Sequence, residues 1–219
     1  MPGSIKIDDG SGNYTILTNA GSLGSDKTIT IPNETATLAT TTATDLGGLV
    51  KLSSATASGS SDFTFDNFVD NSTYSYYKLI MEEIVPSVDC QLHFVFRSGG
   101  ASGADMTGTY RRSGWYTRLD IASSATYGGV SDTDYSRTAF GYGASTNENF
   151  SSEVDIYPNI TDHLSKITHM YMGKDSTPNL VVARDNVILD NSTAMTGIKI
   201  EMSTGNIATG TATLYGVKK

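Results

Sequence analysis

Apolar side chains recur at every second position through much of this chain, and that period confines it to extended backbone. In residues 91–97, Leu92, Phe94 and Phe96 point one way and His93, Val95 and Arg97 the other; Val154 with Ile156, and Ile198 with Ile200 and Met202, repeat the pattern. Successive side chains of a strand face opposite sides, so such runs make antiparallel sheets with one dry and one wet face. No stretch of helical length carries apolar groups at i, i+3, i+4 and i+7 with good helix formers between them. Composition agrees. Hydrophobic residues are 38% and charged residues 17%. Much of the balance is Ser, Thr, Gly and Asn, which suit turns and half-wet strands and disfavour helices. The fold class is all-β.

Residues 63–219 hold the denser pattern. Strand-like runs at 63–68, 74–85, 91–97, 110–121, 137–142, 151–157, 166–172, 180–189, 196–202 and 211–217 are bounded by Gly, Asn, Asp, Ser or Pro. Without crossover helices between them, an antiparallel β-sandwich or jelly roll is the economical arrangement. Residues 1–40 read differently, as short extended pieces at 4–8, 14–17, 27–31 and 35–38, the first two separated by the turn-forming run Asp9-Gly10-Ser11-Gly12-Asn13. Their apolar stripe is Ile5, Ile7, Ile16, Ile29, Ile31 and Leu38, too thin to bury a face alone. Such a segment is expected to be completed by copies of itself or by another protein, as an attachment and oligomerisation piece. Residues 41–62 are small, polar and nearly uncharged. They read as a linker, interrupted by a short docking piece at 46–52.

Charge excludes one class of partner. The net charge is −8 and the pI about 4.7, whereas nucleic-acid affinity rests on clustered Lys and Arg neutralising phosphates. No apolar run is long enough for a membrane-spanning helix, so membrane insertion is not expected. The chain has one cysteine, Cys90. It cannot form an intrachain disulfide and is expected to be a buried thiol.

Catalytic patterns are sparse. His93, His163 and His169 lack metal-ligand spacing, and no nucleophile elbow, phosphate loop or dinucleotide fingerprint is present. Asp132 and Asp134 are alternate carboxylates that offer a weak site for a hard cation and read more simply as a solvated acidic loop. No cofactor and no enzymatic activity are expected. The most suggestive constellation is aromatic: Tyr110, Trp115, Tyr116, Tyr127, Tyr135 and Tyr142 lie among Ser, Thr, Gly and Asp, with Arg112 beside them. Flat amphipathic rings with short hydrogen-bonding neighbours suit a sugar surface or a protein interface, and equally suit cross-strand packing. Tyr110, Arg112, Trp115, Tyr116, Tyr127 and Tyr135 are the receptor-facing candidates.

Two ends of the chain carry a resemblance. Phe63-Thr64-Phe65-Asp66-Asn67-Phe68, Tyr77-Lys78-Leu79-Ile80 and Phe96-Arg97-Ser98, with the closing Gly210-Thr211-Ala212-Thr213-Leu214-Tyr215-Gly216-Val217, resemble the jelly-roll-like domain of tailed-bacteriophage virion proteins of the marine type. Thr28-Ile29-Thr30-Ile31-Pro32 and Ala36-Thr37-Leu38 resemble pieces of phage fibre and adhesin shafts, which are usually trimeric. The resemblance implies a homotrimeric structural protein on the virion surface, contacting other tail or capsid proteins. It would be a short fibre attaching to a host-surface glycan. A capsid decoration protein and a free carbohydrate-binding module are the alternatives.

Overall fold

The computed structural model describes residues 4–8, 14–18, 48–118, 125–138, 140–145, 147–159, 164–177 and 179–219. The chain divides into two units, Met1–Leu46 and Gly47–Lys219. In the first, β1 (Ser4–Asp8) and β2 (Tyr14–Thr18) pair antiparallel. Ile5 stands opposite Leu17, Ile7 opposite Thr15 and Ile16 opposite Lys6. Ile29, Ile31 and Leu38 lie outside the described residues, as do the expected extended pieces that carry them.

The second unit is built from β3 (Leu49–Ser60), β4 (Asp62–Phe65), β5 (Tyr74–Pro86), β6 (Leu92–Ser98), β7 (Ala104–Asp105), β8 (Thr109–Arg118) and β9 (Ala125–Thr133), followed by β10 (Ser136–Arg137), β11 (Phe150–Tyr157), β12 (Lys166–Lys174), β13 (Leu180–Asp190), β14 (Gly197–Met202) and β15 (Ile207–Lys218). Among the described residues the only helical element is a turn of 3₁₀ helix at Gly100–Ser102. The strands form an eight-stranded sheet in the order β3-β15-β5-β11-β12-β13-β8-β9 and a smaller sheet in the order β10-β6-β14-β4, with β7 on β6. Every pairing is antiparallel.

The two sheets close on one core. The dry face of the large sheet supplies Tyr77, Leu79, Val154, Ile156, Ile167 and Leu214; the small sheet supplies Phe63, Leu92, Phe94, Phe96, Ile198 and Ile200. Ring contacts join the sheets, Phe96 to Tyr110 at 5.4 Å and Phe94 edge-on to His169 at 4.8 Å. The unit is an antiparallel β-sandwich, as the alternation predicts.

Several local expectations are corrected. Residues 49–60, read as part of a linker over 41–62, form β3 and pair with β15 along nearly its whole length. Small hydroxyl residues conceal the strand because they pair with their own kind: Ser54 meets Thr213 at 3.0 Å and Thr56 meets Thr211 at 3.4 Å. His93 and Val95, expected to face water, are buried. The ring of Tyr135 stacks on His93 at 4.0 Å, closing the outer side of β6. The expected strand at 137–142 shrinks to β10; beyond it Tyr142 makes isolated bridges to Cys90 and Asp175 and stacks on Phe150 at 3.8 Å. The stretch around Asp132, read as an acidic loop, runs instead through the end of β9.

Candidate functional site

The residues expected to face a receptor are distributed by strand parity. On β8 the even positions turn inward. Tyr110 is wholly buried, and its hydroxyl accepts a hydrogen bond from the Phe96 amide at 2.9 Å; burial raises that hydroxyl's pKa. Arg112 is buried on the same face. Tyr116 packs edge-on against Phe140 at 4.3 Å and is half-buried. Tyr135 covers His93. These four are therefore packing residues, a correction to their expected outward role. Tyr127 stands opposite Gly114 in the ladder, and its side chain lies outside the description. Trp115, at an odd position, remains 39% exposed.

The other chemical candidates are spoken for. The Asp132 carboxylate is buried and paired with Arg137 at 3.0 Å. Asp134, at φ 65°, accepts a hydrogen bond from the Gly108 amide and holds a turn. Among the described residues no group of three or more His, Cys, Asp or Glu is gathered as a metal site would need. Cys90 is buried, and burial pushes its thiol up to about 11. His169 is sealed in the core, and burial lowers its pKa to about 3. His163 lies outside the described residues.

Trp115 belongs to a larger feature that sequence parity alone does not reveal. It lies in a row that crosses the wet face of the large sheet, in register: Ile80 on β5, Glu153 on β11, Met170 on β12, Arg184 on β13 and Trp115 on β8. The next row along carries Ser151, Met172, Val182 and Thr117. Met170 is 50% and Met172 57% exposed. Beside them the face is hollowed into a groove of ≈ 910 Å³ lined by Ile80, Met170, Met172, Val182, Glu82 and Gly210.

Backbone irregularity makes the groove. The β15–β5 ladder shifts register around Thr209, the β5–β11 ladder between Phe150 and Ser152, and Glu83 takes φ 52°. Such bulges bend a strand and increase its twist. Gly210, at φ 125°, lets the two strands close up there, because a Cβ at that position would lie 2.5 Å from the Ile84 side chain and 2.8 Å from its backbone.

The opposite side of the sandwich is different. On the outer face of the small sheet Arg97 pairs with Asp66 at 2.7 Å and with Asp105, and Lys199 pairs with Asp105 at 2.6 Å and Glu201 at 2.9 Å. That face satisfies its own charges. The large sheet instead leaves thioethers, an indole and aliphatic groups in water among its charged residues, and clustered apolar groups on a wet face mark interaction sites. Met170 and Met172 are visible in the sequence as alternate positions of a strand, but the side of the sheet they occupy is not. No protein-family model, no curated protein and no solved structure matches the chain.

Proposed function

We propose that this chain is a non-enzymatic structural protein of a bacteriophage particle. In this reading it is a short surface fibre, homotrimeric through its N-terminal segment, that projects a jelly-roll-like β-sandwich head toward a host-surface glycan. The observation that carries the structural, non-enzymatic part of the reading is the wet face of the large sheet, where Trp115, Met170 and Met172 stay exposed beside a broad open groove. A surface of that kind makes contacts; it does not converge polar groups on a reacting atom. The imidazole of His169 and the thiol of Cys90 support the same reading, because both are enclosed in the core and out of reach of a substrate.

A second reading has its own support. Burial of Tyr110 and Arg112, and the packing of Tyr116 and Tyr135, thin the aromatic surface expected of an adhesive tip. That favours a capsid decoration or head-fibre protein that stabilises the particle without binding a receptor.

Competition separates the two. An excess of purified full-length chain should slow adsorption of the phage to its host if the head is adhesive. Unchanged adsorption at every chain concentration, together with fragile particles when the chain is withheld, would establish decoration in its place.

A further inference from the structure

We propose that the wet face of the large sheet is where the heads of neighbouring copies meet: the occupant of the groove and of the row beside it is a second copy of this chain. The proposal rests on the fibre reading above and names the partner of that face.

Extent argues first. The row from Ile80 to Trp115 crosses five strands, about 19 Å at ~4.8 Å per strand spacing. The row through Met172 and Val182 doubles it, and Tyr157 and Ile188, 41% and 37% exposed, extend it along the strands. A single sugar chain or extended peptide covers a stripe. A surface this broad in both directions needs another flat face, and eight strands provide enough area for the ~800 Å² per partner that a stable protein contact buries.

Charge argues second and independently. Within the face, Lys78 is already paired with Glu153 at 2.9 Å and Asp155 at 2.8 Å, and Arg111 with Asp190 at 3.2 Å. Exposed charges on it without an ion-pair partner among the described residues include Glu82 and Glu83 at one end, Lys51 and Lys166 toward the other, and Arg184 in the Ile80 row between them. Glu82 and Lys166 cannot satisfy one another within a chain. Lys166 stands opposite Tyr157, and Ile156 opposite Tyr77, whereas Glu82 lies further along β5. The separation of Glu82 from Lys166 is roughly 20 Å at ~3.3 Å per residue. Acid at one end and base at the other is the pattern a head-to-tail contact needs, and such contacts close into rings when the rotation permits. A net charge of −8 sets copies against each other unless opposite charges are matched locally.

The test uses the full-length chain, with ordinary and nitrogen-15-labelled material mixed, unfolded and refolded together. Met170 and Met172 are the exposed methionines among the described residues, Met81, Met106, Met195 and Met202 being buried, so peroxide oxidation reads this face directly. Both should oxidise several-fold more slowly than in urea-unfolded chain. A zero-length carbodiimide should join Glu82 or Glu83 to Lys166 across isotopes. Glu82→Lys should abolish the cross-link and raise the oxidation rate, and adding Lys166→Glu should restore protection. Oxidation at the unfolded rate in the native chain would overturn the proposal, as would protection with cross-links confined to one isotope. If the cross-isotope link forms but the chain is missing from purified particles, the fibre reading fails and the self-contact stands. If the chain is in particles with both methionines open, the self-contact alone fails.

Discussion

At the scale of single residues, the buried histidines carry the clearest consequence. His169 is packed between Phe94, edge-on at 4.8 Å, and Tyr171, stacked at 4.7 Å, and neither ring nitrogen has a hydrogen-bond partner among the described residues. Burial therefore lowers its pKa from 6.5 to about 3, and burial lowers that of His93 as well. Both shifts are downward, so below pH 6.5 the unfolded chain takes up protons that the native chain refuses, and stability falls as pH falls. Above that value the two groups contribute nothing to the pH dependence. We expect the urea midpoint of the wild-type chain to decline between pH 6.5 and about 4.5, where carboxylates begin to titrate. His169→Phe should flatten that decline, leaving the His93 share, and should cost little at neutral pH because it removes two unsatisfied polar atoms. Urea titrations across this range check it; an unchanged slope in the variant contradicts it. This is also the scale at which the sequence reads least completely. The inward set Leu92, Phe94 and Phe96 was plain from alternation. The burial of His93 was not, because Tyr135, which covers it, arrives from a distant stretch of chain.

At the scale of elements, legibility depends on how a strand obtains its stability. Strands β5, β11, β12, β13 and β14 bury alternate large side chains and show themselves by period. β3 buries little beyond Ala57, with Leu52 and Ala55 packed on the core's edge, and gains its place from the ladder to β15 and from paired hydroxyls. Its composition therefore resembles a linker. The distinction decides where the chain can be cut. A chain beginning at Gly48 keeps β3 and should melt cooperatively near the temperature of the full-length protein. One beginning at Ser61 loses β3 and exposes the edge of β15. Loss of the Leu52 packing alone is worth about 2 kcal/mol, so the melting midpoint should fall by at least ~4 °C. Equal midpoints for the two truncations would show that β3 is dispensable. Calorimetry of both chains measures the difference.

At the scale of the whole molecule, period and composition establish an antiparallel sandwich, and acidity speaks against a polyanionic partner. Which face of the sandwich works was beyond reach of either. It depends on strand order, which brings Ile80, Met170, Arg184 and Trp115 into one row from four strands spread along the chain, and on bulges that hollow the sheet beside them. The stretch around residues 110–135 drew the eye because its rings are close in sequence, yet strand parity sends Tyr110 into the core and leaves Trp115 outside. The central claim is that this molecule is a building block of a phage particle. Quantitative mass spectrometry of gradient-purified particles tests it most directly. The chain should be present in a fixed, reproducible ratio to the major coat protein, unchanged by further purification. Its absence, or a ratio that dwindles with each gradient, would contradict the claim.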